Sequence, residues 1–195
     1  MCFYIYYIFF INLYIGFIDK HASAIRALNY PVMDDSYCVS GHTRASAHTD
    51  YGTLTILKSG GPGLQAAKDT NPPVWIDVPH VENAFVINLG DLMRRWTNNQ
   101  WLSTLHQVVN PESCDEWTRR QSIAFFHNVN SDAIVSAIPG TGMSNTATLY
   151  IYVYGEYVIL FFYELGEPLY ETIVAGDFLM KKHLAATAGY KGYTE

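Results

Sequence analysis

Short apolar runs separated by turn residues fill the middle of the chain. Their pattern predicts strands at 46–57, 64–67, 74–78, 84–88, 104–109, 121–127 and 133–138. Clusters of glycine and proline at 59–63 and 71–73 predict turns, and Gly90-Asp91 predicts a corner. Many short strands at near-regular spacing are typical of an antiparallel sandwich or barrel, and a jelly roll is the version that encloses a small site. We therefore expect a mainly β fold.

Two segments have the apolar spacing of helices instead. One covers residues 92–98 and the other covers 174–188. In the second segment Asp177 lies in the first turn, basic residues follow, and Gly189 supplies a stop. The jelly roll is therefore expected to be followed by a C-terminal helix.

Two aromatic stretches differ in composition from the rest of the chain. Residues 1–18 are uncharged and rich in Phe, Tyr and Ile, but no basic residues precede them as they would in a secretory signal. Residues 149–165 have a similar composition and are interrupted by Gly155 and Glu156. A membrane span is expected at neither. Two interpretations stay open: buried aromatic strands, or translated non-coding sequence in a mispredicted gene model.

These patterns divide the chain into four parts. We expect an apolar N-terminal segment at 1–19, a jelly-roll domain at 20–145, an atypical aromatic insert at 146–167, and a C-terminal helix and tail at 168–195. With 195 residues, 49% of them hydrophobic and 15% charged, the chain is long enough to bury one sizeable core.

The net charge and the cysteines indicate which classes of binding partner and which cellular compartment to expect. The formal net charge is -6 with only 12 Lys+Arg, so no basic surface for nucleic acid is predicted. Cys2, Cys38 and Cys114 are far apart and form no Cys-x-x-Cys motif, which predicts neither a disulfide framework nor a zinc knuckle. We expect a monomer in a reducing compartment, the cytoplasm, with a small-molecule substrate.

Two histidines and an aspartate carry the candidate chemistry. Residues i and i+2 of an extended segment point the same way, so His48 and Asp50 can reach one metal ion. His106 lies in an apolar predicted strand, where an imidazole without a hydrogen bond or a metal is costly. Two imidazoles and one carboxylate can hold one face of a ferrous ion and leave the opposite positions open. A zinc hydrolase with the same ligands is the alternative.

An arginine in the next predicted strand completes the pattern. Arg120 and Ser122 share one face of that strand, whereas Arg119 and Gln121 share the other. A guanidinium can pair with a carboxylate through two hydrogen bonds, and a serine hydroxyl adds a third. Arg119 is interpreted as a solvated surface charge, while Arg120 and Ser122 predict a pocket for a carboxylate.

Eight segments together resemble one protein family. They are SAHTDYGTLTIL (46–57), GLQ (63–65), WIDVP (75–79), AFVINLGD (84–91), RWTN (95–98), STLHQVVNP (103–111), RRQSIAFFHNVNSDAIV (119–135) and AGDFLMKKHLAAT (175–187). As an ordered set they resemble the 2-oxoglutarate/Fe(II) oxygenases of the isopenicillin N synthase type. The resemblance implies a double-stranded β-helix, which is a jelly roll with the iron at its open end.

The resemblance also implies the roles of individual residues. His48, Asp50 and His106 would be the iron ligands. The distal carboxylate of 2-oxoglutarate would be held by Arg120 and Ser122, with a further contact from Tyr30 in an Asn-x-Tyr-Pro-like element. In that element Leu28 stands where many members have asparagine. The implied cofactors are Fe(II), 2-oxoglutarate and O2.

The implied activity is the oxidation, most simply the hydroxylation, of a small organic molecule with release of succinate and CO2. Members of the family normally carry a covering N-terminal half that is missing from this sequence, so exposed apolar sheet surface and low stability or aggregation are expected. Two alternatives stay open: a catalytically impaired truncated jelly roll, and a 2-oxoglutarate-independent iron oxidase of the same fold. Aromatic residues of the core or of the substrate pocket are Trp96, Trp101, Phe126 and His127.

Overall fold

A computed structural model describes residues 16–32, 43–110, 119–138, 141 and 168–188, together with the backbone of 147–154 and 157–164. The three cysteines and residues 1–15 lie outside the described residues, so the expectations for them stay untested. No helix in the described part of the chain is long and apolar enough to cross a membrane.

Eight antiparallel strands form two four-stranded sheets. In chain order they are β1 (Ala24–Tyr30), β2 (Thr43–His48), β3 (Leu54–Ser59), β4 (Leu64–Thr70), β5 (Pro73–Asp77), β6 (Val86–Leu89), β7 (His106–Val109) and β8 (Arg120–His127). The larger sheet has the order β1-β8-β3-β6, and the second has the order β2-β7-β4-β5. Neighbouring strands in the chain therefore fall mostly in different sheets, which is the double-stranded β-helix predicted from the sequence.

The strand register decides which side chains face the interior. In the larger sheet Arg26 pairs with Ala124, and Tyr30 pairs with Arg120. Residues directly opposite each other in an antiparallel pair point to the same face, so these four side chains share the inner face. Burial of β8 alternates accordingly, with Arg120, Ser122 and Ala124 buried and the residues between them exposed.

The aromatic insert forms a hairpin. It follows the short strand β9 (Ile134–Val135), and its own strands β10 (Ala147–Tyr154) and β11 (Tyr157–Glu164) pair with each other in register. The segment therefore forms strands, as one of the two interpretations expects, and the choice between those interpretations stays open. Alternating β-branched and aromatic residues favour such a pairing.

A separate apolar core lies between the helices and the chain that follows β8. The helices are α1 (Asp91–Trp96) and α2 (Ala175–Thr187), and the short strand β12 (Ile173–Val174) pairs with β9 next to α2. The buried members of this core are Leu92, Trp96, Val129, Ala133, Val135 and Ala175. Both predicted helices are confirmed to within two residues at each end.

The predicted strand 46–57 is wrong in one respect. The structure divides it into β2 and β3, which lie in different sheets. The chain turns between them because its backbone binds elsewhere: Thr53 N–H donates to the carbonyl of His127 (3.1 Å), and the carbonyl of Asp50 accepts from Asp91 N–H (2.8 Å). Strand β1 was not predicted, because its sequence, AIRALNY, shows no clear alternation of apolar and polar residues.

The outer face of the larger sheet is apolar and exposed. Ile25 is 72% exposed, Ile87 63% and Ile123 54%. The register places all three on the face opposite Arg26 and Arg120. The expectation of exposed apolar sheet surface is therefore met in the described residues, and a contiguous patch of this kind favours association.

We expect Ile25→Lys combined with Ile123→Glu to reduce self-association of the purified chain. Both side chains are exposed, so the free energy of unfolding should change by no more than about 0.5 kcal/mol per site, and the opposite charges are near enough to attract. Sedimentation velocity and thermal melts measure the two effects. Leu64→Lys, at a buried inner position, is the control that should unfold the protein. An unmodified chain that is monomeric at high concentration would contradict the prediction.

Gly90 allows α1 to approach the chain that follows β2. A Cβ at position 90 would clash with the backbone of Gly52, although the backbone angles of Gly90, φ -102° and ψ 177°, suit any residue. We expect Gly90→Ala to lower the free energy of unfolding by about 2 kcal/mol or more, because backbone must move to remove the overlap. Gly16→Ala is the control, since nothing lies within 4 Å of its added Cβ. Equal urea unfolding midpoints for Gly90→Ala and the unmodified protein would contradict the prediction.

Candidate metal centre

The structure brings His48, Asp50 and His106 together at one end of the barrel. His48 is the last residue of β2 and pairs with His106, the first residue of β7. One ligand atom from each of the three residues lies within 4.8 Å of the others, and the two imidazole centroids are 4.4 Å apart. Asp50 lies in the turn after β2 instead of within a strand, so the turn directs its carboxylate toward the histidines.

Both imidazoles make the same hydrogen bond, from Nδ1 to the backbone carbonyl two residues earlier. Nδ1 of His48 lies 2.7 Å from the carbonyl oxygen of Ser46, and Nδ1 of His106 lies 2.9 Å from that of Thr104. A carbonyl oxygen only accepts, so Nδ1 must be the protonated nitrogen in each ring. The lone pair of each Nε2 is then available to a metal, which is the usual arrangement of histidine ligands.

The carboxylate of Asp50 is buried and is held by a residue that the sequence predictions missed. Asp50 is 7% exposed, and its Oδ2 accepts a hydrogen bond of 2.7 Å from Nδ2 of Asn88. Its Oδ1 lies 3.7 Å from Nε2 of His106. A buried carboxylate is costly unless a cation or hydrogen bonds compensate it. Asn88 is detectable in the sequence as a polar residue in the apolar run AFVINL.

This donor set fits a divalent ion. Two neutral imidazole nitrogens and one carboxylate oxygen converge on one point, and their second hydrogen-bonding atoms are already occupied. Such a set, with open positions on the far side, suits Fe(II). The residues described in the structure therefore fit the group that the sequence predicts.

Arg120 lies deep in the barrel as the prediction requires. It is 3% exposed, its Nε donates to the carbonyl of Pro62 at 3.0 Å, and its Nη2 donates to Oγ of Ser59 at 2.9 Å. The ring of Tyr30 lies 5.2 Å from its guanidinium carbon. The guanidinium is thus oriented by neutral oxygens of Ser59, at the end of β3, and of Pro62, in the turn that follows. These hydrogen bonds do not compensate its charge.

Burial is the main influence on the protonation of Arg120. It lowers the pKa of the guanidinium, as does the nearby charge of Arg44, whereas Tyr30 raises that pKa. An arginine nevertheless keeps its charge in a protein, so the burial favours an anionic partner. The hydroxyl of Ser122 is also buried and lies on the same face of β8. Arg119, by contrast, is exposed and donates to Oδ1 of Asn29 at 2.6 Å, as its surface interpretation predicted.

One cavity extends from the three candidate metal ligands to Arg120. It has a volume of about 610 Å³ and lies between the two sheets. Its walls include all six predicted site residues, namely Tyr30, His48, Asp50, His106, Arg120 and Ser122. Apolar side chains such as Leu57, Leu64 and Val108 form much of the rest, which limits access of water to the site.

A second cavity of about 450 Å³ adjoins the first at His48 and Asp50. His48, Asp50, Arg26 and Phe126 line both cavities, and the second opens toward α2. Phe126 is thus a pocket residue. Trp96 belongs to the core, Trp101 is exposed, and His127 contacts Oγ1 of Thr53 at 2.7 Å.

Comparisons with known proteins agree with this geometry. The model of the 2OG-Fe(II) oxygenase superfamily matches residues 21–129. The 2-oxoglutarate-Fe(II) type oxidoreductase ppzD of Metarhizium majus is 33% identical over 61% of this chain and 35% of its own length. Validamycin A dioxygenase of Streptomyces hygroscopicus is 32% identical over 58% of this chain and 32% of its own.

Solved structures show the same fold. A full-length Neurospora crassa protein in complex with alpha-KG and thymine is 33% identical with a TM-score of 0.72, covering 90% of this chain and 47% of that one. A 2OG-Fe(II) oxygenase family protein from Caulobacter crescentus is 25% identical with a TM-score of 0.64, covering 90% of this chain and 49% of that one. The chain spans about a third of the length of the curated relatives that it matches. From its residues 21–129, this chain belongs to the 2OG-Fe(II) oxygenase superfamily.

Proposed function

We propose that this chain forms the metal and cosubstrate site of an Fe(II)- and 2-oxoglutarate-dependent dioxygenase that oxidises a small organic molecule. The observation that carries the proposal is the single cavity lined by His48, Asp50, His106, Arg120 and Ser122. A candidate metal triad and a buried guanidinium that face the same cavity are what a dianionic cosubstrate requires. A zinc hydrolase would leave the guanidinium and the serine without a role.

His48, Asp50 and His106 are the proposed iron ligands. When bound, Fe(II) would supply the redox chemistry that activates O2. The protein would contribute only three ligands to it, which leaves room for the cosubstrate and O2. The backbone carbonyls of Ser46 and Thr104 and the amide of Asn88 keep the ligand atoms in place, so little reorganisation accompanies metal binding.

Arg120 and Ser122 are the proposed partners of the distal carboxylate of 2-oxoglutarate. The cosubstrate carries two negative charges, which the guanidinium at one end of the cavity and the metal at the other end would balance. Tyr30 packs against that guanidinium and is placed to touch the same carboxylate. Leu28 also lines the cavity, and since it carries no amide it contributes only apolar contact.

The overall reaction consumes 2-oxoglutarate, O2 and the substrate and yields succinate, CO2 and an oxidised product, for which hydroxylation is the simplest outcome. The second cavity, which is also lined by His48 and Asp50, is the proposed site of the prime substrate. The names of the relatives are consistent with small molecules, namely validamycin A in one case and thymine in the Neurospora crassa complex. The cytoplasmic location and the four-part division of the chain stay predictions. The prediction of a monomer also stays untested, and the exposed outer face of the larger sheet favours association instead.

One observation favours a catalytically impaired chain as the second candidate. The apolar outer face of the larger sheet is exposed, and a protein that associates through this face would be less active than its site permits. A 2-oxoglutarate-independent oxidase would instead use the pocket at Arg120 for a carboxylate of its substrate. The oxidase differs from the proposal in its response to 2-oxoglutarate, whereas the impaired chain differs in its rate of turnover.

We expect His106→Ala to weaken Fe(II) binding more than about 100-fold, since outer partners of metal ligands alone contribute about 10- to 100-fold. Anaerobic isothermal titration measures the affinity. His80→Ala is the matched control, because His80 is an exposed loop histidine. Equal affinities of the unmodified protein and the His106 variant would show that the triad does not bind the metal.

We expect Arg120→Gln to weaken binding of 2-oxoglutarate to the Fe(II)-loaded protein by about 10- to 100-fold, because hydrogen bonds to charged groups contribute about 1.5–3 kcal/mol. The visible absorption of the iron–2-oxo acid chelate reports the binding under anaerobic conditions. Fe(II) affinity should not change. Arg119→Gln, at the exposed neighbouring position, should bind 2-oxoglutarate normally. A 2-oxoglutarate affinity that is the same in all three proteins would favour the oxidase candidate.

A further inference from the structure

Residues 49–52, which we call the ligand turn, are bound from outside the cavity by a buried carboxylate. Asp91, the first residue of α1, is 2% exposed. Its Oδ2 accepts a hydrogen bond of 3.0 Å from Oγ1 of Thr49, the residue between the two proposed ligands His48 and Asp50. The same oxygen forms an ion pair of 2.6 Å with Nζ of Lys182 in α2.

The backbone of α1 binds the ligand turn as well. The N–H of Asp91 donates to the carbonyl of Asp50 at 2.8 Å, and the N–H of Leu92 donates to the carbonyl of Tyr51 at 3.0 Å. Asp91 thus contacts the turn through both its backbone and its side chain. A displacement of its carboxylate would therefore also move the ligand turn, and with it the side chain of Asp50.

Lys182 connects this unit to the C-terminal helix. Its ammonium lies 5.9 Å from the ring centroid of Tyr51 and 5.8 Å from that of Phe178, close enough for cation–π attraction. A buried carboxylate that loses its cation is strongly destabilised, because its desolvation is no longer compensated. Without Lys182, the carboxylate of Asp91 would have to move toward water, and the hydrogen bond from Thr49 would be lost with it.

We propose that Lys182 is a positioning residue for the metal centre and acts through Asp91 and Thr49 on the direction of His48 and Asp50. The C-terminal helix thereby tunes metal affinity without contributing a ligand. This inference rests on the proposed metal site. It differs from a role in helix docking alone, which would alter the stability of the fold and leave the affinity of folded protein for a metal unchanged.

The test is a titration of the full chain with Mn(II), monitored by electron paramagnetic resonance below the onset of thermal unfolding. We expect Lys182→Met to weaken Mn(II) binding about tenfold, the lower end of the effect of outer partners of metal ligands. Lys182→Arg keeps the charge and should recover the affinity to within about threefold. Lys181→Met, at the exposed neighbouring position of α2, should bind as the unmodified protein does.

Thr49→Val removes the hydroxyl and leaves the ion pair intact, so it tests the same connection if Lys182→Met does not fold. It should also weaken Mn(II) binding. The double variant, Thr49→Val with Lys182→Met, should bind Mn(II) no more than about twofold less tightly than whichever single variant binds it less tightly, because both side chains act on one oxygen. Additive effects in the double variant would overturn the inference. An unchanged Mn(II) affinity in Thr49→Val would also overturn the inference. So would a folded Lys182→Met variant that melts at a lower temperature but binds Mn(II) as the unmodified protein does.

The outcome for the unmodified chain separates this inference from the proposed function. Absence of Mn(II) binding there would overturn the metal centre and the inference with it. Normal Mn(II) binding by the unmodified chain, with no effect in the Lys182 and Thr49 variants, would leave the proposed function standing and overturn the inference alone.

Discussion

The close backbone contact between Gly52 and Gly90 is the constraint on which the other features depend. At this point the chain leaves one sheet, turns and enters the other, while the first turn of α1 donates its N–H groups to the carbonyls of residues 50–52. Free N–H groups at a helix start need acceptors, and here the turn supplies them. One contact therefore joins the two sheets, fixes Asp50 beside the histidines and begins the helix that packs into the apolar core.

The buried charges are compensated differently inside and outside the cavity. Asp91, outside the cavity, has a cation within 2.6 Å. Asp50 and Arg120, which line the cavity, are instead held by the amide of Asn88 and by neutral oxygens of the turn after β3. Burial of a charge without a full opposite charge is unfavourable by itself. It becomes favourable when a dication lies at Asp50 and an anion at Arg120, which is the arrangement that the proposed cofactors provide.

Apolar patterns in the sequence were sufficient to predict most strands and the final helix. The six residues that the fold gathers around one cavity were predicted with the help of the family resemblance, which alone indicated Tyr30. Apolar periodicity reports local structure, and ligand chemistry restricts which residue types can serve. Contacts between distant segments were not predictable in this way: Asn88 reaches Asp50 and Lys182 reaches Asp91 only after folding. The division of 46–57 into two strands has the same origin, because the backbone groups that bend the chain there lie in α1 and β8. Strand β1 lacks the usual alternation because Arg26 faces the cavity and Ile25 faces outward.

One strand register determines which residues lie on each of the two faces of the larger sheet. A strand directs alternate residues to opposite faces, so the register that points Arg26 and Tyr30 into the cavity also points Ile25 outward. A shift by one residue would bury isoleucine between the sheets and remove Tyr30 from the guanidinium of Arg120. Because the inner contacts of Arg120 and the pairing of β1 with β8 set this register, the apolar outer surface accompanies the site. Single outward substitutions can therefore change association while the register, and with it the cavity, is maintained.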